Sequence, residues 1–151
     1  MLMCTTAKGP KVFFFSVMMS CLTVSLHADP ASFYPFFWGY SYELGEGKGS
    51  CFNFNLPLVH GTKDKEYLKT LNTALDCIAQ FSLQAMVITL GLDAYEGDTY
   101  KGLDISTGGF EKIASEIAKL NLPTVLVQEG DYLPDELGNN LNSFLGGFKN
   151  G

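Results

Sequence analysis

Two short segments carry the side chains best suited to chemistry. Gly91-Leu92-Asp93-Ala94-Tyr95-Glu96-Gly97-Asp98 follows one apolar run, and Gln128-Glu129-Gly130-Asp131-Tyr132 follows another. A carboxylate at the end of a strand can ligate a metal, which makes Asp93 a candidate ligand. A phenol on a glycine-flanked loop keeps its proton at neutral pH and can donate a hydrogen bond to a developing oxyanion, which makes Tyr132 a candidate catalytic group. Taken singly, each has a plain structural reading. An Asp after a strand commonly forms a turn or caps a helix, and a loop Tyr commonly packs on the surface.

Their weight comes from the elements that must position them. From about Leu22 onward, strand and helix patterns alternate, as in an α/β protein with a parallel sheet. Thr23–His27, Cys51–Leu58, Ala85–Gly91 and Thr124–Glu129 read as strands, the last two as continuous apolar runs of the kind that fill central parallel strands. Asp64–Phe81 places Tyr67, Leu68, Leu71, Leu75, Ile78 and Ala79 at helical spacing. Thr107 opens a second helix with Phe110, Ile113, Ala114, Ile117 and Leu120 on one face, and Pro134 starts a third that runs to about Phe148. Ligands of such sheets bind beyond the carboxyl ends of the strands, where both chemical segments fall.

Composition bounds the function classes. The 151 residues are 46% hydrophobic and 17% charged, as in one globular domain with its own core. A net charge of −6 leaves no basic field to hold a phosphate backbone, so nucleic acid is not an expected partner, whereas an acidic rim suits a cationic substrate. Cys4, Cys21, Cys51 and Cys77 show neither zinc-finger spacing nor a disulfide framework, which fits reduced thiols in a cytoplasmic protein. Lys8 and Lys11 before the apolar run Val12 to Leu26 imitate a secretory signal, with cleavage after Ala28, and would make the chain an exported small α/β protein. That run is too short for a confident membrane span, and no membrane partner is expected.

The motifs in combination resemble a family. Ser25-Leu26-His27-Ala28-Asp29-Pro30, Phe33-Tyr34-Pro35, Gly39-Tyr40, Gly45-Glu46-Gly47-Lys48-Gly49, Asn55-Leu56-Pro57-Leu58, Gly91-Leu92-Asp93-Ala94, Gly102-Leu103-Asp104 and Glu129-Gly130-x-Tyr132 stand in one order. Residues 22–151 are thereby similar to the C-terminal part of the histone deacetylase and acetylpolyamine amidohydrolase superfamily. The resemblance implies the C-terminal portion of an arginase/deacetylase-like three-layer fold around a parallel sheet. It implies Asp93 as one of three zinc ligands and Tyr132 as the group that polarises the acetyl carbonyl. It further implies Tyr34, with Phe33 beside it, as a wall of the substrate tunnel, and Ser25 and Leu26 as part of a monovalent-cation site, potassium being the candidate ion. The intact enzyme would bind zinc and hydrolyse an acetylated amine, polyamine or lysine-like substrate.

Several positions depart from that pattern. Asp131 stands where the family usually has a second Gly before the tyrosine. The family's Asp-x-Asp-x-His-His-Gly-x-Gly segment and its tandem His pair are absent, and His27 and His60 match none of those positions, reading instead as a strand-end and a loop histidine. Residues 1–21 do not resemble the family as written. Read one nucleotide earlier, however, codons for Met1 to Lys11 can spell Asp-Val-Asp-Val-His-His-Gly-Lys-Gly-Thr-Gln. The expectation is therefore an out-of-frame reading of residues 1–21 and a deacetylase fragment that is inactive alone. The exposed edges of such a fragment make homo-oligomers an expectation, and a non-catalytic binding or dimerisation module is the alternative function.

Overall fold

The computed structural model of the chain describes residues 21–130 and 134–151. The elements run β1 (Thr23–Ala28), β2 (Asn53–Leu58), α1 (Asp64–Gln80), β3 (Met86–Gly91), α2 (Thr107–Ala118), β4 (Thr124–Glu129) and α3 (Pro134–Asn150), with 3-10 turns at Gly47–Gly49 and Leu92–Ala94. The order of strands and helices is the one expected, so the chain is an α/β protein with parallel strands. β2 begins two residues later than the apolar run suggests. Cys51 adopts a left-handed φ of 69°, and Phe52 N–H closes a turn onto the Gly49 carbonyl at 3.1 Å, so the extended backbone starts only at Asn53.

The strands form two parallel pairs rather than one continuous sheet among the described residues. β1 pairs with β2 in the register Ser25↔Asn55 and His27↔Pro57, and β3 pairs with β4 in the register Val87↔Val125 and Gly91↔Glu129. The period of two sorts each pair into faces. On β1, Val24, Leu26 and Ala28 enter the core while Thr23, Ser25 and His27 lie on the opposite, polar face, which Asn53 and Asn55 of β2 extend. β3 and β4 were expected to be buried on both faces. Met86, Ile88 and Leu90 are buried, but Val87, Val125 and Val127 are 46%, 58% and 40% exposed, so the side of the pair that carries them is partly open to solvent although Thr89 on that side is buried.

The helices close the core from the other side. α1 buries Tyr67, Leu71, Ala74, Leu75 and Ile78. α2 buries Phe110, Ile113, Ala114 and Ile117, and Phe144 of α3 is fully enclosed. Each buried Leu, Ile or Phe among them contributes about 1.5–3 kcal/mol by leaving water. Ser106 caps α2 by accepting from Gly109 N–H at 3.0 Å, and it is itself held by Asp64, whose carboxylate accepts from Ser106 N–H at 2.9 Å and from its hydroxyl at 2.6 Å. One carboxylate thus ties the start of α1 to the start of α2. Among the described residues, no helix is long and apolar enough to cross a membrane.

Candidate active site

β3 delivers the candidate ligand. It ends at Gly91, and the next three residues turn back as a 3-10 helix that Leu92, fully buried, pins to the core. Tyr95 N–H bonds Leu92 O at 3.1 Å, Ile105 N–H bonds Ala94 O at 3.0 Å, and Glu96 N–H bonds Ile105 O at 2.9 Å. These bonds fix the turn that carries Asp93. The register Gly91↔Glu129 brings the end of β4 alongside, and Gly130 lies against the Asp93 carboxyl group. A Cβ at position 130 would come within 2.7 Å of the Asp93 carboxyl carbon, and Gly130 has a φ of +65°. Glycine is required there twice over, for its conformation and for the space it leaves. Asp93 and the start of the Gly130 loop therefore meet, as strand ends in α/β sheets should. Tyr132 and Asp131 lie outside the described residues.

The expected cation residues sit on β1. Leu26 is buried with its side chain in the core. Ser25 and His27 share the polar face, with Ser25 Oγ 2.8 Å from His27 Nδ1 and His27 Nε2 2.8 Å from the Gly39 carbonyl oxygen. A carbonyl can only accept, so Nε2 carries the proton, Nδ1 is the acceptor, and the Ser25 hydroxyl donates to it. That leaves the Ser25 oxygen lone pairs as its remaining polar capacity. Burial holds the His27 imidazole below its ordinary value of 6.5 and thus neutral, against the opposing pull of the Gly39 carbonyl, Glu43 and Asp29.

The two tunnel candidates diverge. The Phe33 ring turns inward, where a Cβ at Gly102 would meet it at 3.0 Å, and packs against His60 with ring centroids 5.8 Å apart. Tyr34 turns outward, 61% exposed, with its ring edge-on to Phe36 at 6.5 Å. Sequence reasoning passed over Glu43 and Asn53 and gave Asn55 no role beyond its motif, yet the three fasten the loop beyond Tyr34 to the polar face of β1–β2. Asn53 and Asn55 alternate within a strand, where Asn is a poor former, and that alternation was the clue to side-chain bonding there. Among the described residues, no group of three or more His, Cys, Asp or Glu side chains is placed to hold a metal ion. A catalytic zinc takes three protein ligands, so Asp93 and its described neighbours do not by themselves make up such a site.

A carboxylate at the tip of β3 thus meets a glycine at the tip of β4. Residues 13–148 match the model of the histone deacetylase domain. The chain belongs to the histone deacetylase family. It is 39% identical over 134 residues to the acetylpolyamine amidohydrolase of Burkholderia pseudomallei, covering 89% of this chain and 39% of that relative. It is 36% identical over 128 residues to acetylpolyamine amidohydrolase 1 of Pseudomonas aeruginosa, covering 85% and 37%. The crystal structure of the Burkholderia enzyme superposes with a TM-score of 0.86 at 39% identity, over 89% of this chain and 39% of that one. The likeness in fold is thus to part of a deacetylase, since the chain spans about two-fifths of the length of the relatives it matches. The match starts at residue 13, inside the stretch expected to lie outside the family.

Proposed function

We propose that this chain is a piece of a zinc-dependent deacetylase that releases acetate from acetylated amines of the polyamine or lysine type, and that it is nearly inert by itself. The observation that carries the reading is the Asp93 carboxylate set against Gly130 at the adjoining tips of β3 and β4, in a chain of the histone deacetylase family. Asp93 supplies one anionic oxygen ligand, and a zinc bound there would polarise the amide carbonyl. Tyr132, two residues past Gly130, would donate its phenolic hydrogen to the oxyanion that develops on that carbonyl. Tyr34 and Phe33 would grip the amine stem. Ser25 and Leu26 would contribute oxygens to a potassium site, and the neutral His27, by accepting the Ser25 hydroxyl hydrogen, would leave the Ser25 oxygen lone pairs for the ion. We place the protein in the cytoplasm, with residues 1–21 read out of frame. Genomic sequence lacking the Asp-Val-Asp-Val-His-His segment in the shifted frame would remove the last point.

Repair of the upstream half tests the assignment. Joined to that half of a deacetylase, the chain should release acetate from N-acetylputrescine or an acetyl-lysine peptide in a chelator-sensitive way. Asp93→Ala should abolish turnover, and Tyr132→Phe should keep the metal yet lower kcat about a hundredfold, the usual loss for one oxyanion donor. A repaired protein that binds zinc and hydrolyses neither substrate would defeat the reading. A binding module without catalysis is favoured by one feature, the exposed aromatic loop after Tyr34, and saturable binding of the same amides without turnover after repair would select it.

A further inference from the structure

The loop after Tyr34 is built in an uneconomical way unless its surface is used. Phe36, Phe37, Trp38 and Tyr42 are 52%, 77%, 47% and 74% exposed, a run of large apolar side chains left in water. The backbone beneath them is nonetheless fastened at several points to the polar face of β1–β2. His27 Nε2 donates to the Gly39 carbonyl at 2.8 Å, and the Gly39 N–H donates to Glu43 Oε2 at 2.9 Å. Asn55, 7% exposed, donates its amide to the Tyr40 carbonyl at 3.1 Å and to Glu43 Oε2 at 3.4 Å. Asn53 donates to the Glu43 carbonyl, and Glu43 N–H donates to the Tyr40 carbonyl at 3.0 Å. Gly39 itself has a φ of +102°, and a Cβ there would come within 2.5 Å of the His27 ring, so the approach of loop to sheet is as close as a backbone allows.

Glu43 is the hub of these contacts. An ionised carboxylate only accepts, and here one oxygen receives both a backbone N–H and a side-chain amide, a charge-assisted arrangement stronger than a neutral pair. A glutamine would keep an acceptor for Gly39 but place an NH2 group near the Asn55 amide. Rigid presentation of exposed aromatic rings is what a recognition surface needs, because the side chains are then ordered before the ligand arrives.

We infer that Glu43 is a positioning residue that, through Gly39 and Asn55, latches the aromatic loop so that Tyr34 and its neighbours form a fixed wall for the acylated amine. The inference deepens the deacetylase reading and rests on it for the ligand, while the latch itself rests on the contacts above.

Trp38 is the single tryptophan of the chain, so its emission reports this loop alone. The full chain is compared with Glu43→Ala, Glu43→Gln and a control, Glu46→Ala, whose side chain makes no cap hydrogen bond at the adjoining 3-10 turn. Acrylamide quenching of Trp38 should rise at least about twofold in Glu43→Ala, as expected when a local closed state is lost while the global melt stays cooperative. N-acetylputrescine, titrated against the same emission, should bind about tenfold more weakly to Glu43→Ala, the scale of one lost charge-assisted hydrogen bond. Glu43→Gln should recover part of both effects, and Glu46→Ala should match the wild type. Unchanged quenching in Glu43→Ala would overturn the latch, and unchanged affinity with raised quenching would overturn its role in substrate positioning. A wild-type chain that does not respond to N-acetylputrescine, with quenching still raised in Glu43→Ala, would sink the assignment of the wall to acylated amines and uphold the latch.

Discussion

At the scale of single residues, the tightest constraint is the contact between Asp93 and Gly130. Gly130→Ala must place an L-residue at a left-handed φ and a methyl against a carboxylate, which should cost about 1–3 kcal/mol in a urea titration. An Ala variant as stable as the parent would mean that the two strand tips do not meet as described. His27 gives a pH dependence. Its folded pKa lies below the unfolded value, so the stability it contributes is complete above about pH 6.5 and is lost as the pH falls below that value. Urea midpoints at about pH 7.5 and about pH 5.5 should therefore differ more in the parent than in His27→Gln, and equal differences would contradict the buried neutral imidazole. The place of Asp93 just past the end of β3 was legible in the sequence because a carboxylate directly after an apolar strand is a local pattern. Gly130 as its neighbour was not, since that closeness depends on the register between β3 and β4. Glu43 was invisible for a related reason, because what it holds is the backbone N–H of Gly39, which carries no side-chain pattern.

At the scale of elements, α2 and α3 pack closely enough to distinguish two adjacent glycines. A Cβ at Gly147 would overlap the Glu111 carbonyl, whereas Gly146 has nothing within 4 Å. Ser115 and Ser143 add cross-helix bonds, to the Gly147 carbonyl at 3.2 Å and to the Thr107 carbonyl at 2.6 Å. Gly146→Ala should thus stabilise the protein by up to about 1 kcal/mol through helix propensity, while Gly147→Ala should destabilise it by about 1–3 kcal/mol through overpacking. Thermal melts of both variants check this, and the same sign for the two would refute the packing. The helices were readable because a period of 3.6 leaves an apolar stripe that survives without knowledge of the partner. The first two residues of the second strand were misread because Cys51 and Phe52 continue an apolar run, although the left-handed backbone at Cys51 keeps them in a turn.

At the scale of the whole molecule, the open face of β3–β4 is the feature that the sequence concealed. A continuous apolar run reads as a strand buried on both sides, yet whether both sides are covered depends on elements elsewhere. Val87, Val125 and Val127 share that face and remain in contact with solvent. The isolated chain should consequently associate, and Val125→Thr with Val127→Thr should shift sedimentation toward monomer, each change altering stability by about 0.5 kcal/mol or less. A monodisperse parent monomer with a sharp melt would contradict that expectation. The same open side is found in a chain that spans about two-fifths of the length of the relatives it matches and in which, among the described residues, no group of three or more His, Cys, Asp or Glu side chains is placed to hold a metal ion. The chain belongs to the histone deacetylase family, and the proposal made of it is that it does not form a working metal centre by itself. Its most direct test is zinc calorimetry on the full chain and on Asp93→Ala, with acetate release from N-acetylputrescine followed in the same samples. The account predicts weak, non-stoichiometric zinc binding, equal in the two proteins, and no chelator-sensitive acetate. Stoichiometric sub-micromolar binding that disappears in Asp93→Ala, accompanied by turnover, would contradict it.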